Sequence, residues 1–419
     1  MRESAGSVAP VFSVVMATYG RGRHILPSVA SVLRQDFPDF ELIIVGDAST
    51  DETEAVVASV GDIRVRWLNI TPRCGSQSGP NNAGIAVARG EVIAYLGHDD
   101  IWETDHLSRL AGLFGSDSPP DFAVSGSIYH LPNGIPGGEV RGLFGEGEDI
   151  SPYFFPPSSF AHRVSVTGVT GPWRMPMDCR APVDEDFLLR ALAAGMRFRS
   201  TGVVTLHKFA AGHRYLSYVW QESHEQDAML ADMEAPGHAG RVAALIEDVR
   251  LRGGFMFKTD RDFSHFAPGE LARQNAERKG LRQVVPRPLG QGAVLWHRPE
   301  EAALDWHCNP VLGFRLTGAN PRPRLLVAVT GGQARLRFIV ACRDAAALGP
   351  FALTCNGVQV VAHRGRRWFG LVAWFARYEV EIALRMDGPT ILELDFGGMQ
   401  RSVRKTRRFA VGPLRLWPM

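Results

Sequence analysis

The chain has little cysteine, no long apolar run and no excess of charge of either sign, and each absence excludes a class of protein. Five cysteines among 419 residues form no CxxC pair, which excludes a cysteine-based zinc site and a disulfide framework and favours a reducing compartment. No apolar run approaches the length of a membrane span, and residues 1–10 contain no apolar signal core. Lys plus Arg (46) nearly equals Asp plus Glu (44), which argues against a dedicated nucleic-acid binder. We therefore expect a cytoplasmic globular protein.

What the sequence does contain is a regular alternation of predicted strands and helices in its first hundred or so residues. Apolar, β-branched runs alternate with stretches whose apolar residues recur at helical spacing. The predicted strands are Phe12–Thr18, Phe40–Val45, Arg64–Asn69 and Val92–Leu96, and the predicted helices are Ile25–Arg34, Glu52–Ser59, Asn82–Ala88 and Thr104–Phe114. This alternation is typical of β-α-β units in a mostly parallel sheet, with binding groups at the carboxyl ends of the strands.

The rest of the chain predicts two further regions, as expected for a length that exceeds one ordinary core. Beyond residue 115, tracts rich in Gly and Pro predict long loops, followed by a helix over 184–194 and a strand over 197–206. Residues 219–283 are polar and mainly helical in pattern, and short alternating strands begin near residue 286. We predict an α/β domain over 1–218, a helical connector over 219–285 and an all-β, jelly-roll-like sandwich over 286–419.

Polar segments follow three of the predicted strands, at the edge where a parallel sheet binds its ligands. These segments are Thr18–Arg23, Asp47–Asp51 and His98–Asp100. A lone pair of adjacent aspartates is usually a solvated turn, but here the pair closes a regular strand–helix series. Carboxylates at a strand end suit Mg²⁺ or Mn²⁺, because these cations prefer oxygen ligands and often share them with phosphates.

Three segments of the chain carry a resemblance to a known family. They are FSVVMATYGRGRHILPSVASVLRQDFPDFELIIVGDASTD (12–51), NNAGIAVARGEVIAYLGHDDIW (81–102) and PVDEDFLLRALAAG (182–195). In order, spacing and flanking apolar runs, the first 210 or so residues resemble the family 2 glycosyltransferases. The resemblance implies a GT-A fold, a Rossmann-like domain that binds nucleotide sugars. It covers about half of the chain and leaves out the predicted β domain.

The resemblance also implies an activity, a cofactor and partners. Family members transfer a hexose with inversion. The resemblance therefore implies a nucleoside diphosphate sugar as the donor, with a UDP-sugar expected first. It also implies Mn²⁺ or Mg²⁺ as the cofactor. The implied acceptor is a hydroxyl of a glycan, a lipid-linked glycan or a protein, in bacterial polysaccharide or glycoconjugate biosynthesis of the cell envelope. No nucleic-acid partner is expected.

Six residues are predicted to bind the donor by their correspondence with the family. Asp47 matches a position that contacts the nucleotide base, whereas nearby Ser49 and Glu52 read as a capping box for the next helix. Tyr19 could stack on the base and Arg21 could face the diphosphate, with a plain loop equally favoured for Arg21. The full set of predicted donor-binding residues is Thr18, Tyr19, Arg21, Asp47, Asn82 and His98, with Asn82 as readily a helix cap as a ligand.

Four residues are predicted to hold the metal and to perform proton transfer. Asp99 matches the family's metal-binding aspartate, and His207, after the last strand of the domain, could complete the metal shell. Inverting transfer needs a carboxylate to accept the proton of the acceptor hydroxyl, and Asp184 matches that base, with Asp186 as the alternative. Acidic residues in a first helical turn also complement the helix dipole. Asp100 could be a second metal ligand or the cap of the following helix, and the cap is the favoured interpretation.

Two further features bear on the acceptor and on the membrane. Trp173, on a Gly- and Pro-rich loop shortly before the base, could serve as a platform for an acceptor sugar, although single aromatic residues are more often part of the core. The basic run Arg401–Arg408 could contact anionic lipids at the inner face of the membrane, each charge contributing about 1 kcal/mol near the surface. A solvated strand face is the favoured interpretation of this run.

Departures from the family pattern keep two rival functions open. Gly46, Gly97 and His98 stand where the family usually has acidic residues, which favours a nucleotide-sugar-binding protein that has lost turnover. The Gly-Arg-Gly-Arg stretch over 20–23 is a partial echo of the phosphate loop of sugar-nucleotide nucleotidyltransferases. Both rivals rank below the glycosyltransferase.

Overall fold

A computed structural model describes most of the chain up to residue 278 and a set of strands beyond it. The described residues are 9–135, 137–151, 153–211, 221–256, 262–278, 287–288, 315–316, 323–327, 329–342, 351–369, 373–384, 390–395, 410–412 and 415–418. They divide into two compact units. The first unit comprises those within 1–131, 136–210 and 221–276, and the second those within 132–135, 211–220 and 277–419.

The first unit alternates strands and helices along the chain, as the sequence predicts. Its strands are β1 Phe12–Thr18, β2 Phe40–Asp47, β3 Val65–Ile70, β4 Val92–Tyr95, β5 Ile101–Trp102, β6 Phe122–Tyr129, β7 Glu139–Arg141, β8 Phe160–Arg163 and β9 Phe198–Lys208. The helices are α1 Leu26–Leu33, α2 Thr53–Ala58, α3 Ser78–Val87, α4 His106–Phe114, α5 Val166–Thr170, α6 Val183–Ala193, α7 His224–Glu234, α8 His238–Leu251 and α9 Glu270–Arg278.

The sheet of the first unit places the ends of its parallel strands side by side. Its strand order is β3-β2-β1-β4-β8-β6-β9-β5, and β7 pairs with β6. β1 lies parallel to β2 and to β4, with Thr18 opposite Gly46 and Val15 opposite Tyr95. β8 enters antiparallel between β4 and β6, and β5 pairs antiparallel with β9. The carboxyl ends of β1, β2 and β4 therefore meet at one edge, where the polar segments follow.

Burial on both faces explains why β1, β2 and β4 read as continuous apolar runs in the sequence. On one face, Phe12 and Met16 pack against α1 and α4, with Val29 and Leu110 in the same cluster. On the other face, Val15 joins a cluster rich in aromatic side chains, including Tyr95, Phe160, Trp173 and Phe187. Each fully buried large apolar side chain contributes about 1.5–3 kcal/mol to folding.

The described strands of the second unit form an antiparallel sheet and one short parallel pair. They are β10 Arg287–Pro288, β11 Arg315–Leu316, β12 Arg324–Val327, β13 Val329–Thr330, β14 Gln333–Cys342, β15 Phe351–Cys355, β16 Val358–Phe369, β17 Trp374–Ala383, β18 Thr390–Asp395, β19 Ala410–Val411 and β20 Arg415–Pro418. The sheet order is β11-β19-β14-β17-β16-β15-β18-β12, with β20 on β14, and β10 pairs with β13 alone. The predicted combination of an α/β fold and an all-β region is confirmed. The basic run over 401–408 lies outside the described residues.

Two central strands of the first unit were not predicted from the sequence. β6 and β8 fall in the region beyond residue 115, where the sequence predicts mainly loops. Polar residues interrupt the apolar pattern of both strands, although these residues lie in the core. They are Ser125, Ser127 and His162, and all three are fully buried. The helices α7 and α8 belong to the first unit, where α7 contacts α1 and β5. None of the described helices has the length and apolar composition that a bilayer crossing requires.

Candidate functional site

The loops after β1 and β2 are joined by hydrogen bonds at the carboxyl edge of the sheet. The Gly20 N–H donates to Ser49 Oγ at 3.1 Å, and the Gly22 N–H donates to Asp51 Oδ2 at 3.0 Å. Gly22 has a φ of +48°, and a side chain there would overlap the carboxylate of Glu52. The predicted Ser49–Glu52 capping box is wrong, because Glu52 is itself the N-cap of α2 and no side chain caps the helix.

Asp47, at the end of β2, organises the loop that follows β3. Its Oδ1 accepts the Cys74 N–H and its Oδ2 accepts the Gly75 N–H, both at 2.7 Å. An ionised carboxylate has about four acceptor positions, so these bonds leave capacity for a ligand. At neighbouring Gly46, a Cβ would lie 2.7 Å from both the Trp67 ring and Asn69 Oδ1. These two side chains fill the space that the family's usual aspartate at position 46 would need.

The predicted donor-binding residues at the end of β1 and in the loop after it are Thr18, Tyr19 and Arg21. This loop contacts the loop after β3, which Asp47 holds. Thr18 is buried, and its Oγ1 has no hydrogen-bond partner within the described residues. The guanidinium of exposed Arg73 lies 3.6 Å from the centre of the Tyr19 ring, within cation–π distance. Arg21 is buried, and its charge acts on the His98 ring. The loops after β1, β3 and β4 thus converge.

His98 supplies a neutral ring where the family usually has a carboxylate. Burial, followed by the charge of Arg21, lowers the pKa of His98 to about 3, against a partly opposing effect of Asp100. The ring hydrogen-bonds the backbone of Ala17, and its Nδ1 is a buried atom without a partner among the described residues. His98 is therefore neutral at physiological pH and adds no charge to the site.

Asp100 is a structural residue rather than a helix cap, so that prediction is wrong. It is fully buried, and its carboxylate accepts Ser158 Oγ at 2.6 Å, Lys208 Nζ at 2.7 Å and the Phe209 N–H at 3.2 Å. Burial alone would lower the pKa of Lys208, but the carboxylates of Asp100 and Asp99 raise it well above its ordinary value. Burial raises the pKa of Asp100 and the lysine opposes this, and the short contact favours the ionised pair.

Asp99 differs from Asp100 because its carboxylate makes no hydrogen bond or ion pair with any described residue. Its backbone carbonyl accepts a hydrogen bond from Gln226 Nε2 of α7 at 2.9 Å. A half-buried carboxylate without a partner fits a hard divalent cation, which takes one or two protein carboxylates and completes its shell with phosphate oxygens. The structure does not bring His207 into this shell. Both ring nitrogens of His207 are engaged elsewhere, by Glu103 at 2.7 Å and His130 at 2.9 Å.

The two acidic candidates on α6 have different partners. Asp186 forms ion pairs with Arg190 at 2.8 Å and Arg174 at 3.5 Å, which ties it into the helix and the preceding loop. Asp184 lies in the first turn, and its Oδ1 accepts the N–H of Glu185 at 3.1 Å. This arrangement favours Asp184 as the base, because an acid held by two arginines is not positioned to take a proton.

Buried Tyr129 connects α6 electrostatically with the strand ends. Burial raises the pKa of the Tyr129 hydroxyl, and the charges of Lys208, Asp100 and Asp184 all act on it. Both Asp184 and Asp100, which directly follows Asp99, thus act on the Tyr129 hydroxyl.

Asn82 and Trp173 form a structural pair, contrary to the roles predicted for them. The Asn82 amide donates to the Trp173 carbonyl at 2.8 Å and accepts the Trp173 N–H at 2.9 Å. Asn82 lies inside α3, which begins at Ser78, so it is not a helix cap either. The Trp173 ring is buried, stacks on Phe187 at 4.6 Å and donates to Tyr95 Oη at 3.0 Å. It therefore has no face to offer an acceptor sugar.

Sequence reasoning missed three residues that shape the site. Lys208 and Ser158 hold Asp100, and Gln226 holds the backbone of Asp99. Lys208 has a signal in the sequence, since it is a cation at the end of an apolar strand. Ser158 and Gln226 have none, because they reach the site from a loop and from a helix far along the chain.

Comparisons with known proteins show what the N-terminal part of the chain is similar to. Residues 13–137 match the model of the family "Glycosyl transferase family 2". An uncharacterized glycosyltransferase of Nostoc sp. is 33% identical over 120 residues, which cover 28% of this chain and 36% of the relative. The succinoglycan biosynthesis protein ExoO of Rhizobium meliloti is 36% identical over 110 residues, 26% of this chain and 31% of that protein.

The name of a third relative states its donor and acceptor. The UDP-Glc:alpha-D-GlcNAc-diphosphoundecaprenol beta-1,3-glucosyltransferase WfaP of Escherichia coli is 32% identical over 97 residues, 23% of this chain and 38% of that enzyme. The matches to these three relatives thus span about a third of each relative's length. The crystal structure of S. aureus TarS 1–349 has a TM-score of 0.42 at 17% identity, covering 65% of this chain and 77% of that one. The N-terminal part of the chain contains a family 2 glycosyltransferase domain.

Proposed function

We propose that the first unit is an inverting hexosyltransferase that moves a sugar from a nucleoside diphosphate donor, a UDP-sugar, onto a hydroxyl acceptor. The observations that carry the proposal are two carboxylates, that of Asp99, which makes no hydrogen bond or ion pair with any described residue, and that of Asp184 in the first turn of α6. The family match over 13–137 and the UDP-Glc named for one relative support it. The named relatives also support a role in bacterial polysaccharide or glycoconjugate biosynthesis.

On the donor side, the loops after β1, β2 and β3 form the nucleotide pocket. Asp47 holds the loop that carries Arg73, and Arg73 lies against Tyr19. Arg21 and Arg73 supply positive charge for the diphosphate. Asp99 would hold Mn²⁺ or Mg²⁺ together with phosphate oxygens, and this cation offsets the charge that develops on the leaving diphosphate.

On the acceptor side, Asp184 accepts the proton of the acceptor hydroxyl as its oxygen attacks the anomeric carbon. The new carbon–oxygen bond forms on the face opposite the diphosphate, the bond to the diphosphate oxygen breaks, and the configuration inverts. Positioned general-base catalysis contributes about 10²–10⁴-fold to such a step. Lys208 and Ser158 act as positioning residues, since they fix Asp100 and with it the backbone that carries Asp99.

The acceptor we propose is a sugar hydroxyl of a growing glycan, including a lipid-linked one. One relative is named for an acceptor linked to diphosphoundecaprenol, which supports this class. Contact with the inner face of the membrane would follow from a lipid-linked acceptor, and the cytoplasmic location proposed from the sequence fits such a contact.

The test is release of nucleoside diphosphate from UDP-, GDP- and dTDP-sugars by the full chain, with Mn²⁺, with Mg²⁺ and with chelator. We expect turnover of a UDP-sugar in the presence of the cation, with slow hydrolysis when no acceptor is supplied. Asp99→Asn and Asp184→Asn should each lower it by at least about a hundredfold, whereas Asp186→Asn is the matched control from the same helical turn. Undiminished turnover in both Asp99→Asn and Asp184→Asn would refute the assignment. Binding of UDP-sugar without any turnover would favour the binding-protein alternative.

A further inference from the structure

A second group of metal-ligating side chains lies where β5 pairs with β9, and the donor pocket does not use it. Glu103 directly follows β5, His207 is the penultimate residue of β9, and His238 is the first residue of α8. Glu103 Oε1 lies 2.7 Å from His207 Nε2 and 2.8 Å from His238 Nε2. The three ligand atoms lie within 4.8 Å of one another, and no other group of three such residues occurs in the described parts of the chain.

The far side of each imidazole is held in the way that metal-binding histidines require. His238 Nδ1 lies 2.7 Å from Asp232 Oδ2, and a carboxylate only accepts, so Nδ1 carries the proton and donates it. His207 Nδ1 lies 2.9 Å from His130 Nε2, which can accept in the same way. Both Nε2 atoms then direct lone pairs at Glu103. Histidines that ligate metals usually donate their other ring N–H to a carboxylate or similar acceptor.

Without a metal, the same three atoms can only be held together by protons. Each Nε2 would have to donate to the same Glu103 oxygen, so His238, whose Nδ1 already donates to Asp232, would carry a proton on both ring nitrogens, whereas His207 needs a second proton only if its Nδ1 donates to His130. A divalent cation satisfies the same three atoms without any proton on Nε2.

We propose that Glu103, His207 and His238 bind one Zn²⁺ or a similarly borderline transition-metal ion, separate from the hard cation at Asp99. Two imidazole nitrogens and one carboxylate oxygen form a ligand set that zinc accepts, whereas Mg²⁺ and Ca²⁺ prefer oxygen ligands alone. With zinc bonds of about 2.0–2.2 Å, the ligand atoms need to move apart by only about half an ångström. The His207 side chain is fully buried, while Glu103 and His238 are 16% and 13% exposed and leave a route for entry.

The bound ion would fasten α7 and α8 to the edge of the sheet. Asp232 on α7 and His238 on α8 meet Glu103 and His207 from the sheet at this one point. The same α7 carries Gln226, which holds the backbone of Asp99. A structural metal at this position would therefore stabilise the helix that supports the donor site. The inference does not depend on the proposed sugar transfer.

The test is zinc binding to the full chain after removal of metals with a chelator and dialysis. We expect a single retained zinc ion per chain by elemental analysis, a raised unfolding temperature, and the visible absorption of tetrahedral cobalt when Co²⁺ replaces zinc. His238→Gln and Glu103→Gln should each lower the affinity by at least about a hundredfold, and Asp232→Asn by about 10–100-fold. The matched control is His224→Gln, a histidine of α7 outside the group, which should bind zinc like the natural chain.

Zinc binding that is absent from the natural chain, or equally strong in His238→Gln, would overturn the proposal. If His238→Gln fails to fold by circular dichroism, Asp232→Asn and the cobalt spectrum decide, because an octahedral spectrum in the natural chain contradicts the site. All readouts are taken without a sugar donor. A failure here would therefore leave the proposed transfer untouched, and inactive protein that binds zinc at this group would leave the metal site standing.

Discussion

The two acidic stretches of the first unit, Asp99–Asp100 and Asp184–Asp186, divide their carboxylates in the same way. Asp100 is buried against Lys208, and Asp186 is held by Arg190, so one acid of each stretch is neutralised inside the protein. Asp99 has no side-chain partner among the described residues, and Asp184 accepts the N–H of Glu185 within its own helical turn. We propose that Asp100 and Asp186 fix the backbone of these stretches and that Asp99 and Asp184 take part in the reaction.

The two stretches differ in how deeply the paired acid is buried. Asp100 is completely inaccessible to solvent, whereas the side chain of Asp186 is 12% exposed and shares its charge with two arginines. Removing the partner of a buried charge is strongly destabilising, and removing the partner of a more accessible one is less so. Breaking the Asp100–Lys208 pair should therefore lower the stability of the fold, whereas we expect the catalytic effects from changes at Asp99 and Asp184.

The largest expected difference in kcat is between variants of the two aspartates of α6, Asp184 and Asp186. Asp184→Asn should lower kcat by about 10²–10⁴-fold, because it removes the proposed general base. Asp186→Asn should keep kcat within about tenfold of the natural chain and lower stability instead, since Arg190 loses its carboxylate partner. Initial rates at saturating donor and acceptor, together with urea unfolding, measure both. An equal loss of kcat in the two variants would contradict the division of roles.

The next effect should separate the two acids after β4. Lys208→Met leaves Asp100 buried without a cation and should lower the free energy of unfolding by about 3–5 kcal/mol. Asp99→Asn, the matched change at the neighbouring residue, should lie within about 0.5 kcal/mol of the natural chain. Urea unfolding followed by tryptophan fluorescence measures the difference. If the two variants are equally stable, Asp100 is not the structural member of the pair.

Removing the metal should distinguish Asp99 from Asp100 through its effect on UDP binding. We expect Mn²⁺ to tighten UDP binding by at least about tenfold, which corresponds to about 1.4 kcal/mol of coupling. Chelation should remove this gain from the natural chain, and Asp99→Asn should never show it. Calorimetric titration of UDP with and without Mn²⁺ checks the prediction. A gain that persists in Asp99→Asn would place the cation elsewhere.

The smallest effect should come from Gln226, which holds the backbone of Asp99, rather than from Asp99 itself. Gln226→Ala removes a hydrogen bond to the Asp99 carbonyl, a contact worth about 0.5–1.5 kcal/mol. We expect Mn²⁺-dependent UDP affinity to fall by no more than about tenfold, with kcat nearly unchanged. The same titrations measure it, and a loss as large as that of Asp99→Asn would mean that α7 itself binds the donor.

The parts of the fold that the sequence predicts are those whose signal is local. β1 and β2 are buried on both faces, so their residues form continuous apolar runs that identify them. β6 is equally buried, but its run is broken by Ser125, Gly126 and Ser127. A side chain at Gly126 would overlap the Leu143 side chain and the Val203 carbonyl, so packing requires a residue that the strand pattern disfavours.

The site shows the same limit. Asp99 and Asp184 were predicted by motif correspondence, and their roles stay predictions. The role of Asp100 could not be read locally, because its partner Lys208 lies 108 residues away. Trp173 was misread for a similar reason, since nothing in its Gly- and Pro-rich loop indicates that the ring packs inward on Phe187.

A crystal structure of the full chain with UDP and Mn²⁺, with anomalous scattering from manganese, tests the central claim most directly. The account predicts an anomalous peak in direct contact with the Asp99 carboxylate and the diphosphate, while Asp100 remains bonded to Lys208 and Asp186 to Arg190. A peak coordinated by Asp100, or UDP bound with no ion at Asp99, would contradict it.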